Sequence, residues 1–167
     1  MTVDTRTATL RRSWALDLDV PAFYALLQLR VDVFVVEQNC PYSELDGRDL
    51  EPRTRHYWLA GGRAANAERE SAQATGEDPA PVLGTLRLLT EPDGGYRIGR
   101  VCTRADARGC GLGAQLMTAV LAEVGSRACV LDAQEHQVPF YERFGFIATG
   151  PSFLDDGIPH VPMLRRR

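Results

Sequence analysis

The stretch "ARGCGLGAQLM", Ala107 to Met117, places glycine at 109, 111 and 113 behind Arg108 and runs directly into an apolar stripe. Leu112, Leu116, Met117, Val120, Leu121 and Val124 recur at helical spacing, and Gly125 ends the pattern. The stretch therefore reads as a turn feeding a helix. A helix start leaves its first N–H groups unpaired and carries about half a positive charge. Glycines ahead of such an end let the backbone approach a ligand closely, which makes an anion site. The turn predicts a phosphate or pyrophosphate, with Arg108 at its edge.

Working outward, strands alternate with helices. "RSWALDL" reads as a first strand, and Asp19 as the N-cap of a helix with Pro21 in its first turn. "PAFYALLQLRVDVFVVEQ" puts Phe23, Leu26, Leu27, Val31 and Phe34 at helical spacing, and the acidic, turn-rich "NCPYSELDGRDLEP" ends that helix. "HYWLAGG" and "VLGTLRLL" read as strands, the latter with Val82, Leu86 and Leu88 on one face. "EPDGG" signals a hairpin into "YRIGRVCT". After the glycine turn and its helix, "ACVLDA" has the continuous apolar run of a buried parallel strand. "HQVPFYERFG" predicts a helix closed by Gly145. "FIATG" and "HVPMLRR" read as final strands around the turn-rich "PSFLDDGIP". The expected architecture is one α/β (α+β) domain over residues 1–167, with a six- or seven-stranded sheet and a polar excursion at 64–81.

Composition narrows the function classes. Of 167 residues 44% are hydrophobic and 25% charged, the balance of a globular chain. A formal net charge of −3 argues against a nucleic-acid partner, which needs a basic surface. The sequence shows no signal-peptide core and no apolar run near the about 18 residues that span a bilayer. Cys40, Cys102, Cys110 and Cys129 form no C-x-x-C pair and read as reduced thiols. A cytoplasmic protein with no membrane partner and no metal is expected, its state (monomer or homodimer) left open.

Three nucleotide-binding patterns compete for the turn. A Walker loop would close on Gly-Lys-Ser/Thr, whereas this one runs Gly-Leu-Gly-Ala. A dinucleotide fold would place its glycines after an opening strand, with an acid about 20 residues on; here they follow a hairpin more than halfway along the chain. The third pattern, Arg/Gln-x-x-Gly-x-Gly/Ala, is met by Arg108, Gly111 and Gly113.

That pattern resembles the acyl-CoA-binding motif of the GNAT N-acetyltransferases. "PFYERFGF", Pro139 to Phe146, matches the F-Y-x-x-x-G-F segment of the same family at the corresponding distance. "LLQLRVDVFVVEQNCPY", "DGRD", Ala133-Gln134 and "DDGIPH" resemble its ElaA-like branch, so the likeness runs from about Trp14 to Met163. It implies a mixed sheet splayed between two parallel central strands, "IGRVCT" and "CVLDA", flanked by helices.

The resemblance also implies roles. Val101, Cys102 and Thr103 would pair with the pantetheine arm, and the Val101 N–H would support the oxyanion. The pyrophosphate would meet the backbone from Arg108 through Gly109, Cys110, Gly111, Leu112 and Gly113 to Ala114. Tyr141 would protonate the leaving thiolate. Gln134 stands where an asparagine is common in the family, and Cys110 where a basic residue is common. Neither Cys102 nor Cys110 has a motif supplying a histidine base.

The family's usual glutamate is missing from Arg97-Ile98-Gly99-Arg100, which leaves the general base open among Glu37, Glu44, Asp46, His56 and His160, with Glu37 first. Asp46, His56 and His160 are also candidates for acceptor binding. The acids of "YSELDGRDLEP" and "DDG" read either as solvated loops or as an acidic rim selecting a cationic amine. The expected function is acetyl transfer from acetyl-CoA to an amine of a small molecule or peptide. The alternative is a non-catalytic acyl-CoA-binding or sensing module.

Overall fold

The computed structural model describes residues 5–61 and 80–166. The stretch 64–79 of the expected polar excursion lies outside the described residues. The strands are β1 (Thr9–Trp14), β2 (Arg55–Ala60), β3 (Val82–Thr90), β4 (Tyr96–Thr103), β5 (Cys129–Gln134), β6 (Ile147–Ala148), β7 (Phe153–Asp155) and β8 (Ile158–Arg165). They form one sheet in the order β1-β2-β3-β4-β5-β8-β6, with β7 also paired to β8. All neighbours are antiparallel except β4 and β5.

Among the described residues this is eight strands, where six or seven were expected. The extra one is β7, within the segment that reads as a turn. Phe153 pairs with His160 and Asp155 with Ile158 around a tight turn in which Asp156 and Gly157 both have positive φ. The first strand also stops earlier than its sequence suggests. Ala15–Asp17 winds into a 3-10 turn, and the Ala15 N–H is taken by the Thr54 carbonyl.

Helix α1 (Val20–Val31) starts as predicted, with the Asp19 carboxylate accepting from the Ala22 N–H and Pro21 in the first turn. Beyond Val31 it widens into a π-helical turn, Asp32–Glu37, closed by i→i−5 bonds such as Gln38 N–H to Val33 O. Its buried face is Leu26, Leu29, Arg30 and Val33, so an arginine sits where the apolar stripe would continue.

Helix α2 (Leu112–Val124) buries Leu112, Leu116, Met117, Val120 and Val124 against β2, β3 and β4. The two helices cover opposite faces of the sheet. On β4, Val101 packs with the α2 cluster and its neighbour Cys102 with the α1 cluster. Strand β3 is therefore buried on both faces from Val82 to Leu89, including Thr85 and Arg87.

Candidate active site

Strands β4 and β5 are neighbours only at their starts, where Tyr96 faces Cys129 and Arg97 faces Val130. Beyond that point they diverge, while β4 stays paired to β3 and β5 to β8. The divergence has a local cause. Opposite Leu86, two residues of β4, Arg100 and Val101, fill the space of one, and Arg100 has φ +56°. This is a β-bulge, which bends a strand and raises its twist. The edge of β4 beyond Arg97 is left facing a cleft of about 740 Å³ instead of a neighbouring strand.

The cleft runs from the glycine turn, through the β4–β5 gap, to the β7–β8 turn. Gly109 and Gly111 have φ of +76° and +77°, a conformation that favours glycine. Gly111 is the N-cap of α2 and no side chain caps the helix. Gln115 is the first residue of α2 whose N–H reaches back to a backbone carbonyl, that of Gly111. The N–H groups before it are those a helix start leaves unpaired. Gly113 has ordinary φ, and a Cβ there would make an ordinary van der Waals contact with the Phe140 ring at 3.4 Å, so neither its backbone nor its surroundings demand glycine. The uncapped helix end and the open strand edge fit a ligand with an anionic end and an amide-bearing arm.

Val101, Cys102, Thr103, Arg108, Gly109, Gly111, Leu112, Gly113, Ala114 and Gln134 all line this cleft. Cys110 does not; it is exposed, with its Sγ 3.7 Å from the Arg108 carbonyl. The Arg108 guanidinium turns from the helix end to the Glu37 carboxylate, at 2.6 and 2.7 Å, and to the Thr103 carbonyl, at 3.2 and 3.3 Å. Gln134 exchanges amide hydrogen bonds with Gln38 at the end of the π turn. Gln38 lies in the "LLQLRVDVFVVEQNCPY" stretch, where no role was expected of it; the π turn brings it to Gln134.

Tyr141 lies on the short helix α3 (Val138–Glu142), 9% exposed and lining the cleft. Its ring packs edge-on to Phe140 and Phe146. The hydroxyl has no hydrogen-bond partner among the described residues. Burial, with the nearby Cys102 thiol, pushes its pKa well above that of a free tyrosine. Cys102 is itself pushed up to about 12 by burial, so both groups keep their protons at neutral pH.

The base candidates separate clearly. Glu37 lines the cleft, but both its oxygens are held by Arg108, whose hydrogen bonds lower its pKa against a small burial effect. Glu44 is buried and bound to Arg30 at 2.7 and 2.8 Å. Asp46 lines the cleft but binds Arg87 at 2.7 and 2.8 Å, and burial of its carboxyl is outweighed by that guanidinium and the Arg48 N–H. His56 is not in the cleft. It is 1% exposed, with Nε2 3.0 Å from the Asp49 carbonyl and its ring against Phe23, and burial lowers its pKa. The expectation that His56 binds an acceptor is corrected: the inward face of β2 is sealed by α1. His160 lines the cleft with Nδ1 2.8 Å from the Ile158 carbonyl. That contact places the proton of the neutral ring on Nδ1, and Nε2 has no hydrogen-bond partner among the described residues.

The acidic-rim reading needs a similar correction. Glu44, Asp46 and Asp49 are bound by Arg30, Arg87 and Arg100, and Glu51 by Arg48. Glu44, Asp46 and Asp49 anchor the 40–50 loop to α1, β3 and β4, while the Glu51–Arg48 pair is local. Asp155 and Asp156 are exposed, line the cleft and have no cationic partner among the described residues.

The comparisons with known proteins agree with this geometry. Residues 65–166 match the family model of the GNAT acetyltransferase domain. The chain is 53% identical to a UPF0039 protein of Mycobacterium tuberculosis, over 95% of this chain and 94% of that protein. It is 38% identical to protein ElaA of Escherichia coli, over 89% and 90%. Among solved structures, an acyl-CoA N-acyltransferase from Pseudomonas aeruginosa superposes with a TM-score of 0.77 at 39% identity, covering 95% of this chain and 99% of that one. Escherichia coli ElaA superposes at 0.78 and 34% identity, with the same coverage. The bulge-splayed sheet, the uncapped glycine turn and these relatives lead to one conclusion: the chain is an ElaA-like member of the GNAT acyltransferase family.

Proposed function

We propose that this chain transfers an acetyl group from acetyl-CoA to a primary amine by direct attack within a ternary complex. The observation that carries the reading is the splayed gap itself. It brings the uncapped start of α2, the free edge of β4 and Tyr141 to one cleft. The acyl group would arrive as a thioester, whose carbonyl accepts the attacking amine and whose thiolate leaves.

The backbone N–H groups from Gly109 to Ala114 bind the anionic end of the donor, with the helix dipole adding to them. Val101 to Thr103 hold the arm as a neighbouring strand would, and the Val101 N–H supports the charge that develops on the carbonyl oxygen. Tyr141, kept protonated by burial, gives its proton to the departing sulfur. His160 takes the proton of the amine at Nε2, because its Nδ1 is committed to Ile158 while Glu37 is committed to Arg108. Asp155 and Asp156 hold the ammonium form of the acceptor near the mouth. A small-molecule or peptide amine fits this arrangement.

Calorimetric titration with acetyl-CoA, followed by thiol release on an amine panel, tests the reading. Binding with thiol release that falls by about 10²-fold in His160→Gln, at unchanged KM for acetyl-CoA, supports it. Binding without thiol release on any amine, unaltered in Tyr141→Phe, identifies instead a non-catalytic acyl-CoA sensor.

A further inference from the structure

Arg100 is the residue on which the splay turns, and nothing about it looks catalytic. Its φ of +56° is a conformation that side-chain-bearing residues rarely adopt, and glycine would occupy it at lower cost. A strained backbone persists only where its surroundings over-determine it. Here the surroundings are the 42–46 loop. Arg100 Nη2 donates to the Glu44 carbonyl at 2.9 Å and lies 3.4 Å from Asp46 Oδ2. Its Nε is 2.9 Å from Glu44 Oε1, an ion-pair distance without hydrogen-bond geometry, and its guanidinium lies over the Tyr42 ring at 5.8 Å.

The loop is in turn fixed from below. Glu44 is 3% exposed and grips Arg30 of α1 with both oxygens, while Asp49 binds Arg30 and Arg87 together. Arg87 lies on β3 opposite Gly99, one residue before Arg100. The chain of contacts therefore begins in the buried face of α1 and ends on the bulged residue of β4. The next amide along is that of Val101.

We infer that Arg100 is a positioning residue, which holds the β4 bulge so that the Val101 N–H points into the cleft at the acyl carbonyl. The inference rests on the reading of Val101 as the oxyanion donor. It goes beyond that reading by assigning the donor's orientation to a side-chain clamp, Glu44 and Tyr42 on Arg100, instead of to the strand alone. Alanine at 100 keeps the backbone penalty but removes the clamp. Lysine keeps the charge and loses the fork that reaches two partners at once.

The test needs no knowledge of the acceptor. Acetyl-CoA labelled with ¹³C at the thioester carbonyl is bound to the full chain, and the carbonyl stretch is read by infrared difference spectroscopy. A carbonyl accepting a hydrogen bond from Val101 absorbs at lower frequency than in free acetyl-CoA. In Arg100→Ala the lowering is expected to shrink by about half or more, as a misaimed donor requires, while the Kd for acetyl-CoA stays within about threefold of wild type. Arg100→Lys is expected to fall between the two and serves if the alanine variant does not fold. A full wild-type lowering retained in either folded variant overturns the inference. So does a lowering lost only in parallel with acetyl-CoA affinity. Absence of any lowering in the wild-type complex overturns the reading of Val101 itself, a different result from retention in the variants.

Discussion

Arg108 and Glu37 hold each other through two parallel hydrogen bonds of 2.6 and 2.7 Å, joining the end of the π turn to the residue that opens the glycine turn. Both side chains remain about two-fifths exposed. The pair stands across the edge of the cleft, and neither member is free for the part its sequence position suggests. The guanidinium faces a carboxylate rather than the helix end, and its hydrogen bonds lower the pKa of that carboxylate, which weakens it as a base.

Glu37→Gln is therefore expected to leave thiol release within about threefold of wild type, since an exposed pair contributes only about 0.2–1 kcal/mol. A loss of about a hundredfold, with acetyl-CoA affinity intact, would return the base to Glu37. Steady-state kinetics at saturating acetyl-CoA decides it.

Tyr141→Phe is expected to lower kcat by about 10²-fold or more with little change in KM or thermal midpoint, because the hydroxyl has no partner to lose among the described residues. Burial raises the pKa, so the acid form persists to higher pH than in a free tyrosine. The wild-type rate should show no alkaline fall attributable to this group up to about pH 10. A pH profile of thiol release for both proteins checks the two points together.

Asp155→Asn with Asp156→Asn should raise KM for a diamine more than for a neutral-tailed monoamine, leaving KM for acetyl-CoA unchanged. The two acids are the cleft carboxylates not taken up by an arginine among the described residues. Equal KM values for both amines in wild type and variant would show that the rim does not select charge.

Arg30→Met should destabilise the chain by about 3–5 kcal/mol, because Glu44 and Asp49 would stay buried without their shared partner. Urea unfolding measures this directly. The same cluster sets an acid limit. Burial works against the Asp46 and Asp49 carboxylates, but Arg87 and Arg30 respectively lower both pKa values below those of the unfolded chain. Glu123, gripped by Arg12, Tyr57 and Arg55 against the cost of burial, is pulled down to about 2. For depressed carboxylates the stabilisation is complete above the unfolded value of about 4 and fades as pH falls through the folded one. Burial also lowers the His56 pKa, so wild-type unfolding free energy should begin to decline as pH falls below about 6.5, where the unfolded chain protonates that ring first, and more steeply below about 4.

Much of this molecule is legible along the chain. Local chemistry set the Asp19 cap, the α2 stripe and the left-handed turns at Gly109 and Gly111. Each depends on residues within one or two turns of one another, and sequence spacing reports such contacts faithfully. The glycine turn and the helix it opens, one end of the cleft, were readable for that reason.

What the tertiary structure decided involves partners far apart in the chain. Arg30 interrupts an apolar stripe because Glu44 and Asp49 fold back onto it, and Arg100 adopts a glycine-like φ with no glycine to announce it. Arg87, Asp46 and Asp49 look like surface charge in sequence, yet become an anchor once α1 seals that face of the sheet. Charge in a sequence has a sign but no address. The packing of α1 over β3 and β4 determines that Glu44, Asp46 and Asp49 are spent on arginines, while Asp155 and Asp156 have no cationic partner among the described residues.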